Sequence, residues 1–287
     1  MKILVVFIIF LIPILCNSQS LGIDRIERLN KSVVRILIDS NPSGTGFFVS
    51  DNGLVATCNH VIEPAYIRDT NTNKIIGLRK IDIEFQNGEK IEMSEIPYLL
   101  QEGYKNSLYY DYSLLKTQAI PKTKFKTLKI GKWADINDGD AIYSCGYPMG
   151  IKQRFISQGI LSTKWIDKIT LLKDSIPFDS IKRNVAWLDL TMNKGNSGGA
   201  VIKIGATPED DKVIGLATFI LNPFAHEASF LVNALSDRKP SSSILNSPLS
   251  LKSLGEFYAK AVANNSIGVS GCVSIDYVSD ILLLFNH

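Results

Sequence analysis

The sequence predicts an all-β fold made of two closed or nearly closed lobes. Short segments rich in Val, Ile, Phe and Tyr recur between Ser32 and Ile220, and turns rich in Gly, Asn and Asp separate them. Asn87-Gly88 is a strong hairpin signal between two of these segments. A cluster of Gly, Asp and Asn within residues 128–140 divides the segments into two groups of roughly 100 residues or more. Together these observations favour a pair of β-barrels.

The predicted strands follow one another at the close spacing typical of an antiparallel all-β protein. In chain order they are Ser32–Ile38, Gly46–Ser50, Leu54–Thr57, Ile81–Phe85, Lys90–Met93, Tyr112–Lys116, Ala141–Cys145, Gln158–Thr163, Val185–Leu190, Ala200–Ile204 and Lys212–Ile220. The stretch Asn41–Gly44 reads as a turn between the first two strands. Helical periodicity is convincing only near the C terminus, where we predict a helix over Leu251–Val262 after Pro248 and a short helix over Tyr277–Phe285.

Residues 1–18 have the layout of a cleavable secretory signal peptide. After the basic start Met1-Lys2, an apolar run extends from Ile3 to Leu15, and Cys16 and Ser18 precede the expected cut before Gln19. The run is too short to cross a bilayer, which needs roughly 20 residues. We therefore expect a secreted protein, periplasmic or extracellular, with no stable membrane anchor after cleavage. Lipid attachment at Cys16 is the less favoured alternative, because the preceding leucine suits such a site poorly.

The charge and cysteine content exclude several classes of protein. The formal net charge is only +3, and no basic run is longer than two residues, so nucleic acid is not an expected partner. Cys58, Cys145 and Cys272 remain after signal cleavage. Their odd number and wide spacing exclude a disulfide scaffold and allow at most one bridge, whose pairing stays open. No CxxC or histidine-rich spacing indicates a metal, and we expect no cofactor.

The loop Gly195–Gly199 (Gly-Asn-Ser-Gly-Gly) carries the strongest chemical signal in the chain. Glycines on both sides of Ser197 fit a backbone that turns sharply and leaves its N–H groups free to hold an oxyanion. The loop alone fits a trypsin-like protease, the nucleophile elbow of an α/β-hydrolase, or an ordinary turn between strands. The choice depends on which base and acid accompany the serine.

Three histidines and one aspartate are the candidates for those roles. His60 follows a turn and a strand, whereas His226 lies in an irregular segment and His287 is the last residue. Asp111 opens an apolar and aromatic run, where a carboxylate needs a partner. Taken singly, a structural histidine at a strand end and an aspartate in a turn would be the ordinary interpretation of His60 and Asp111.

Taken together, the segments around these residues resemble the trypsin-like serine proteases, and within them the HtrA (Deg) branch. The block D-L-T-M-N-K-G-N-S-G-G-A at Asp189–Ala200 is similar to the D-A-A-I-N-P-G-N-S-G-G-A motif of that branch. The other similar segments, in chain order, are Gly44–Val49, Thr57–Ile62, Asp111–Lys116, Gly139–Gly150, Ile214–Thr218 and Val273–Val278. The resemblance spans about residues 30–285.

The resemblance implies two six-stranded antiparallel β-barrels with the active site in the cleft between them, and a short C-terminal helix. It implies a lobe at residues 19–130 that carries His60 and Asp111, and a lobe at residues 131–287 that carries Ser197. Ser197 would be the nucleophile, His60 the general base and acid, and Asp111 the residue that orients His60. The backbone N–H groups of Gly195 and Ser197 would form the oxyanion hole, and polypeptides would be the substrates.

The sequence also departs from the patterns of the wider family. Asn196 stands before the nucleophile in place of the aspartate that captures a new N terminus in digestive zymogens, so we expect no activating cleavage. The chain ends where the protease domain ends, so we expect no PDZ domain. Residues 221–266 form an insertion, which is either a lid over the cleft or a peripheral decoration.

Substrate contacts and alternative functions complete the sequence-based expectations. The resemblance puts Thr191 at the floor of the specificity pocket, without an acidic residue, and it puts Leu216, Ala217 and Thr218 on a wall. An α/β-hydrolase would use His226 after the serine, but no helices alternate with strands before Ser197. A catalytically inactive or conditionally active trypsin-like fold that binds proteins is the remaining alternative to a serine endopeptidase.

Overall fold

Two closed six-stranded antiparallel β-barrels form most of the protein, which confirms the predicted fold class. The computed structural model describes residues 21–72, 74–95, 109–173, 176–220 and 269–285. The predicted signal peptide at 1–18, the insertion at 221–266, its predicted helix, His226 and His287 lie outside these residues. None of the described helices is both long and apolar enough to span a membrane.

The first barrel closes in the strand order β1-β2-β3-β8-β7-β6. Its strands are β1 (Val33–Ile38), β2 (Asn41–Phe48), β3 (Leu54–Thr57), β6 (Ile81–Glu84), β7 (Lys90–Glu95) and β8 (Ser113–Thr117). A separate two-stranded sheet, β4 (Tyr66–Arg68) and β5 (Ile75–Leu78), lies between β3 and β6 in the chain. All six residues of β1 are buried, including Arg35, which pairs across the strands with Glu84.

The second barrel closes in the strand order β10-β11-β14-β13-β12-β9. Its strands are β9 (Ala141–Gly146), β10 (Phe155–Lys173), β11 (Ile176–Asp189), β12 (Ala200–Lys203), β13 (Lys212–Ile220) and β14 (Val269–Ser274). Residues 118–140, which include the predicted boundary, connect the two barrels. Ser197 lies in the loop between β11 and β12.

Three helices accompany the barrels: α1 (Ile23–Ser32), α2 (Asn59–Ile62) and α3 (Asp276–Phe285). The predicted C-terminal helix is therefore present, and its Val278 is fully buried. Helix α1 is not among the elements that the sequence predicts, and only Leu29 and Ser32 of this helix are buried. It is held instead by Arg25, whose guanidinium binds the buried carboxylate of Asp211 at 2.7 Å and the carbonyl of Gly205 at 2.9 Å.

Two sequence predictions differ from the structure at strand boundaries. The stretch Asn41–Gly44, predicted as a turn, is the first half of β2, because its residues pair with β1 through a register shift at Ile36 and Leu37. Strands β10 and β11 extend far beyond the predicted limits as a long paired hairpin. Trp165 and Trp187 stack across this hairpin with ring centroids 5.0 Å apart, and such cross-strand aromatic pairs stabilise a two-stranded ribbon.

Candidate active site

The His60 side chain lies against the carboxylate of Asp111, at the point where the two barrels meet. Helix α2 begins directly after β3, so His60 leaves the first barrel at a strand end. Its Nδ1 lies 3.0 Å from Oδ1 and 2.9 Å from Oδ2 of Asp111, and its backbone N–H donates to Oδ1 at 3.1 Å. An ionised carboxylate only accepts hydrogen bonds, so Nδ1 carries the proton and Nε2 is left as an acceptor.

Asp111 is buried and held by several donors. It has φ = 53°, a left-handed conformation that aspartate tolerates better than most residues. Besides the two donors of His60, the Thr218 hydroxyl of β13 donates to Oδ2. Burial acts to raise the pKa of the Asp111 carboxyl, but the hydrogen bonds and charge of His60 and the Thr218 hydroxyl outweigh it, and the pKa is lowered. The carboxylate is therefore ionised at neutral pH.

The Ser197 loop turns through two glycines in the left-handed region, Gly195 with φ = 101° and Gly198 with φ = 81°. Gly198 has a second reason to be glycine. A Cβ there would lie 2.2 Å from the carbonyl oxygen of Thr45 and 2.2 Å from the hydroxyl of Thr57. The loop therefore packs directly on the first barrel, without room for a side chain beside the serine.

Thr45 of β2 anchors this loop across the junction of the two barrels. Its backbone N–H donates to the carbonyl of Ser197 at 2.9 Å. Its hydroxyl donates to the carbonyl of Gly195 at 2.7 Å and accepts the N–H of Tyr147 at 3.0 Å. Thr45 is completely buried, so these bonds form away from water. No pattern in the sequence indicates this role of Thr45. Its only signal is its position inside Gly44–Val49, a segment that resembles the HtrA branch.

The backbone N–H groups of Gly195 and Ser197 have no hydrogen-bond acceptor among the described residues. The neighbouring amides are engaged: Gly198 donates to the carbonyl of Ala217 at 2.8 Å, and Gly199 to that of Asn196 at 2.9 Å. The free N–H groups of Gly195 and Ser197 flank the peptide unit between Gly195 and Asn196. Two such donors can bind the negative oxygen that develops in the transition state of acyl transfer. The arrangement leaves donors available beside a half-buried serine.

The contacts of the described residues include no hydrogen bond between Ser197 and His60. The structure thus pairs the predicted base with the predicted acid, and separately anchors the predicted nucleophile through Thr45. In a free enzyme the bond between nucleophile and base is often long, and it tightens when substrate binds.

Of the predicted substrate-contacting residues, Leu216, Ala217 and Thr218 lie on β13, and Thr191 follows β11. Leu216 and Ala217 are buried, and the loop at Gly198 and Gly199 covers that edge of β13 through backbone bonds to Ala217. Within the described residues this edge has no strand partner after Ala217, so the free edge begins at Thr218. The expectation that Leu216 and Ala217 line the cleft stays a prediction, and in the structure the serine loop uses the strand edge at Ala217. Thr191 is exposed.

Among the described residues, one group has the spacing of possible metal ligands: Cys58, His60 and Asp111, whose ligand atoms lie within 4.8 Å of one another. The Cys58 thiol is fully buried and lies 3.3 Å from the carbonyl of Ala217. Burial raises the pKa of this thiol well above its usual range. A protonated thiol is a poor metal ligand, and both carboxylate oxygens of Asp111 are already bound, so the group is suited to proton transfer rather than to metal binding. Cys145 and Cys272 are also free and buried.

Asn196 is buried next to the nucleophile, and its Oδ1 has no hydrogen-bond partner. A Cβ at Gly146 would lie 2.8 Å from this oxygen, so β9 passes close beside it. The backbone of Asn196 shapes the loop, because its N–H donates to Asn193 and its carbonyl accepts from Gly199. Local turn bonds therefore hold the loop at this position.

Comparison with known proteins agrees with this geometry. Residues 44–216 match the trypsin-like peptidase domain family. The chain is 28% identical over 204 residues to a probable periplasmic serine endoprotease DegP-like protein of Rickettsia conorii, covering 70% of this chain and 34% of that protein. It is 29% identical over 177 residues to the serine protease HTRA3 of Homo sapiens, covering 61% of this chain and 33% of the relative.

The chain thus spans about a third of the length of these relatives. The matched residues include His60, Asp111 and Ser197, and they begin within β2 and end within β13, the two strands that hold the serine loop. Two barrels, a histidine and aspartate on the first, and a glycine-flanked serine on the second agree with the family match. The chain belongs to the trypsin-like peptidase family and is similar to the DegP and HtrA serine proteases.

Proposed function

We propose that the protein is a serine endopeptidase that hydrolyses polypeptides through an acyl-enzyme on Ser197. The observation that carries the proposal is the His60–Asp111 pair, together with the free N–H groups of Gly195 and Ser197. The Nδ1 proton faces the carboxylate, so Nε2 is the nitrogen available to accept the serine proton. The ionised Asp111 then stabilises the imidazolium that results.

In the proposed reaction the Ser197 oxygen attacks the scissile carbonyl while His60 takes the hydroxyl proton. The negative charge that develops on the carbonyl oxygen is held by the N–H groups of Gly195 and Ser197. His60 next gives its proton to the leaving amine nitrogen, which breaks the peptide bond and leaves the acyl group on Ser197. A water molecule releases this group by the same proton transfers in reverse. The acyl part of the substrate would lie along the free edge of β13 from Thr218 onward.

We also propose that the protein is exported, to the periplasm or the extracellular space. The basic start and short apolar run within residues 1–18 support export. Two similar proteins, from Rickettsia conorii and Rickettsia prowazekii, are described as probable periplasmic serine endoproteases. Mass spectrometry of the N terminus of protein recovered outside the cytoplasm tests this directly: a mature chain that starts at Gln19 is expected.

Labelling with a fluorophosphonate probe tests the enzymatic proposal. Wild-type protein is expected to form a covalent adduct and to cleave unfolded polypeptides, whereas Ser197→Ala and His60→Ala should do neither. Asp111→Asn should fold and label far more slowly, because the imidazole loses its orienting partner and takes the wrong tautomer. A wild-type protein that binds unfolded polypeptides but forms no Ser197-dependent adduct would support the binding-module alternative and reject the peptidase.

A further inference from the structure

A cavity of about 550 Å³ opens beside the serine loop, on the side away from β13. Lys194 and Gly195 form the wall of the cavity next to the predicted oxyanion hole. The remaining lining residues come from β1, β2 and the start of the loop after β9: Arg35, Pro42, Ser43, Gly44, Tyr147 and Gly150. Among the β13 residues whose side chains are described, none lines the cavity. Its place next to Gly195 decides which half of a substrate reaches it.

A peptide whose scissile carbonyl lies at the N–H groups of Gly195 and Ser197 extends in two directions. Its acyl half has the free edge of β13 as a partner, beginning at Thr218. Its other half, which departs as the amine after the first step, must cross Gly195 and Lys194 towards the cavity. The cavity is therefore positioned to contact the leaving-group side of a substrate.

The charges around the cavity are unequal. Arg35 is neutralised, because its guanidinium binds the buried carboxylate of Glu84 and donates to the carbonyl of Gly150 at 2.9 Å. Lys194 is exposed and has no anionic partner among the described residues. In the HtrA-type motif the corresponding position is proline, so this lysine is a feature of the present chain. The mouth of the cavity therefore carries an uncompensated positive charge.

A second cation, Arg154, does not line the cavity but lies close enough to Tyr147 for its charge to act on the Tyr147 hydroxyl. Arg154 has its Nε and Nη1 buried without a hydrogen-bond partner, and so has the hydroxyl of Tyr147. Tyr147 is only 2% exposed and lines the cavity. Burial raises the pKa of this hydroxyl to about 12, while the nearby charge of Arg154 acts in the opposite direction. Buried donors without acceptors are unfavourable in a folded protein unless a ligand or water completes them.

From this arrangement we infer that the cavity is a subsite for a carboxylate on the leaving-group side of the substrate. Lys194 binds the carboxylate at the mouth, Tyr147 supplies a donor from the cavity lining, and Arg154 adds positive charge near Tyr147 without lining the cavity. The carboxylate comes either from the side chain of an Asp or Glu residue after the scissile bond or from the end of a short leaving peptide. This inference rests on the proposed peptidase activity and adds a preference for one class of substrate.

Peptides that share one acyl half test the inference. The first set is C-terminally amidated and carries Glu or Gln at the first, second or third position after the scissile bond. The second set carries Gln at these positions and ends in a free carboxylate or an amide. We expect wild-type kcat/KM to favour the carboxylate member of at least one pair by about tenfold or more, as for a charge-assisted hydrogen bond. The pair with the largest preference identifies the source of the carboxylate.

The Glu:Gln ratio, or the acid:amide ratio, is then measured in Lys194→Gln, Arg154→Gln and Tyr147→Phe. A ratio taken within one variant cancels any general loss of activity or folded protein. We expect it to fall towards 1 in Lys194→Gln and to fall partly in the other two. Lys182→Gln, an equal change of charge at an exposed lysine of β11 outside the cavity lining, should keep the wild-type ratio.

Two results would overturn the inference. Equal kcat/KM for all pairs in wild-type protein would show that no carboxylate is selected. A preference that survives in Lys194→Gln and Arg154→Gln alike would show that it arises elsewhere. If either result is obtained while cleavage still depends on Ser197, only the subsite is rejected and the proposed peptidase activity stands. Absence of both cleavage and a Ser197 adduct rejects the proposed function, and the subsite with it.

Discussion

Replacing Thr45 with valine is expected to separate the anchoring of the serine loop from the overall fold. Valine has nearly the shape of threonine but lacks the hydroxyl. That hydroxyl donates to the carbonyl of Gly195 at 2.7 Å and accepts the N–H of Tyr147 at 3.0 Å. The variant therefore leaves the partly buried carbonyl of Gly195 and the buried N–H of Tyr147 without this partner, while the core volume stays nearly unchanged.

Both effects of this change have estimable sizes. An unsatisfied buried polar group costs about 1–3 kcal/mol, so two of them should lower the free energy of unfolding by about 2–6 kcal/mol. The freed carbonyl belongs to the peptide unit between Gly195 and Asn196, and its rotation disturbs the two N–H groups predicted to hold the oxyanion. Loss of one such donor reduces kcat by roughly 100- to 1,000-fold.

The assay compares kcat and KM for a fixed peptide with the urea midpoint of unfolding. Thr45→Ser is the matched control, because it keeps the hydroxyl and loses one buried methyl group, at about 1 kcal/mol. The serine variant should keep kcat within a few-fold of wild type. A valine variant that loses stability yet keeps the wild-type kcat, at a temperature where it is folded, would refute the assigned role of Thr45 in positioning Gly195.

Three further predictions concern stability. Gly198→Ala should prevent correct folding, because a Cβ there would lie 2.2 Å from the Thr45 carbonyl oxygen and the φ of residue 198 is 81°. Thermal unfolding and loss of probe labelling measure this effect. A stable variant that still reacts with the probe would contradict the packing described for Gly198. Asp111 has a lowered pKa when folded, so its carboxylate adds stability above its unfolded pKa of about 3.9, and this is lost as pH falls through the lower folded pKa. Asp111→Asn should therefore unfold in urea with a smaller change in stability between pH 6 and pH 3 than wild type, and an unchanged difference would argue against the ionised carboxylate. Arg25→Met should lower the free energy of unfolding by about 3 kcal/mol in chemical denaturation, because it leaves the buried charge of Asp211 without its cation. Arg25→Lys keeps the positive charge and should lower the free energy of unfolding less. Equal losses in the two variants would mean that the charge of residue 25 is unimportant.

Much of the barrel architecture is readable from local patterns. The observed bounds of β13 (Lys212–Ile220) and β3 (Leu54–Thr57) are the same as the predicted bounds. In both segments, hydrophobic and β-branched residues between turn signals indicate a strand from local sequence alone. The hairpin β10–β11 was predicted too short. Its pairing continues past the residues that pair with β9 and β14. Cross-strand contacts such as the stacked Trp165 and Trp187 stabilise it, and no alternating buried face indicates it in the sequence.

The candidate site is less accessible from sequence, because its contacts are long-range. His60, Asp111 and Ser197 could be nominated, since their residue types and order point to one chemistry. The sequence indicates neither the contact of the Thr45 hydroxyl with Gly195 nor that of the Thr218 hydroxyl with Asp111, because these groups lie 150 and 107 residues apart in the chain. Thr218 itself is predicted only as a residue of the pocket wall. Leu216 and Ala217 were assigned to the cleft from a motif alone, whereas the strand edge they occupy is taken by the serine loop.

Bonds across the barrel junction have a consequence for the newly made chain. Thr45 and Asp111 belong to the first barrel, while the groups they bind in Gly195, Ser197 and Thr218 belong to the second. During synthesis the first barrel emerges from the ribosome well before β13 does. It then carries a histidine and an aspartate without a serine loop to act with. The proposed peptidase activity therefore requires the second barrel to be folded against the first, so we expect an incomplete chain to be unable to attack itself or its neighbours.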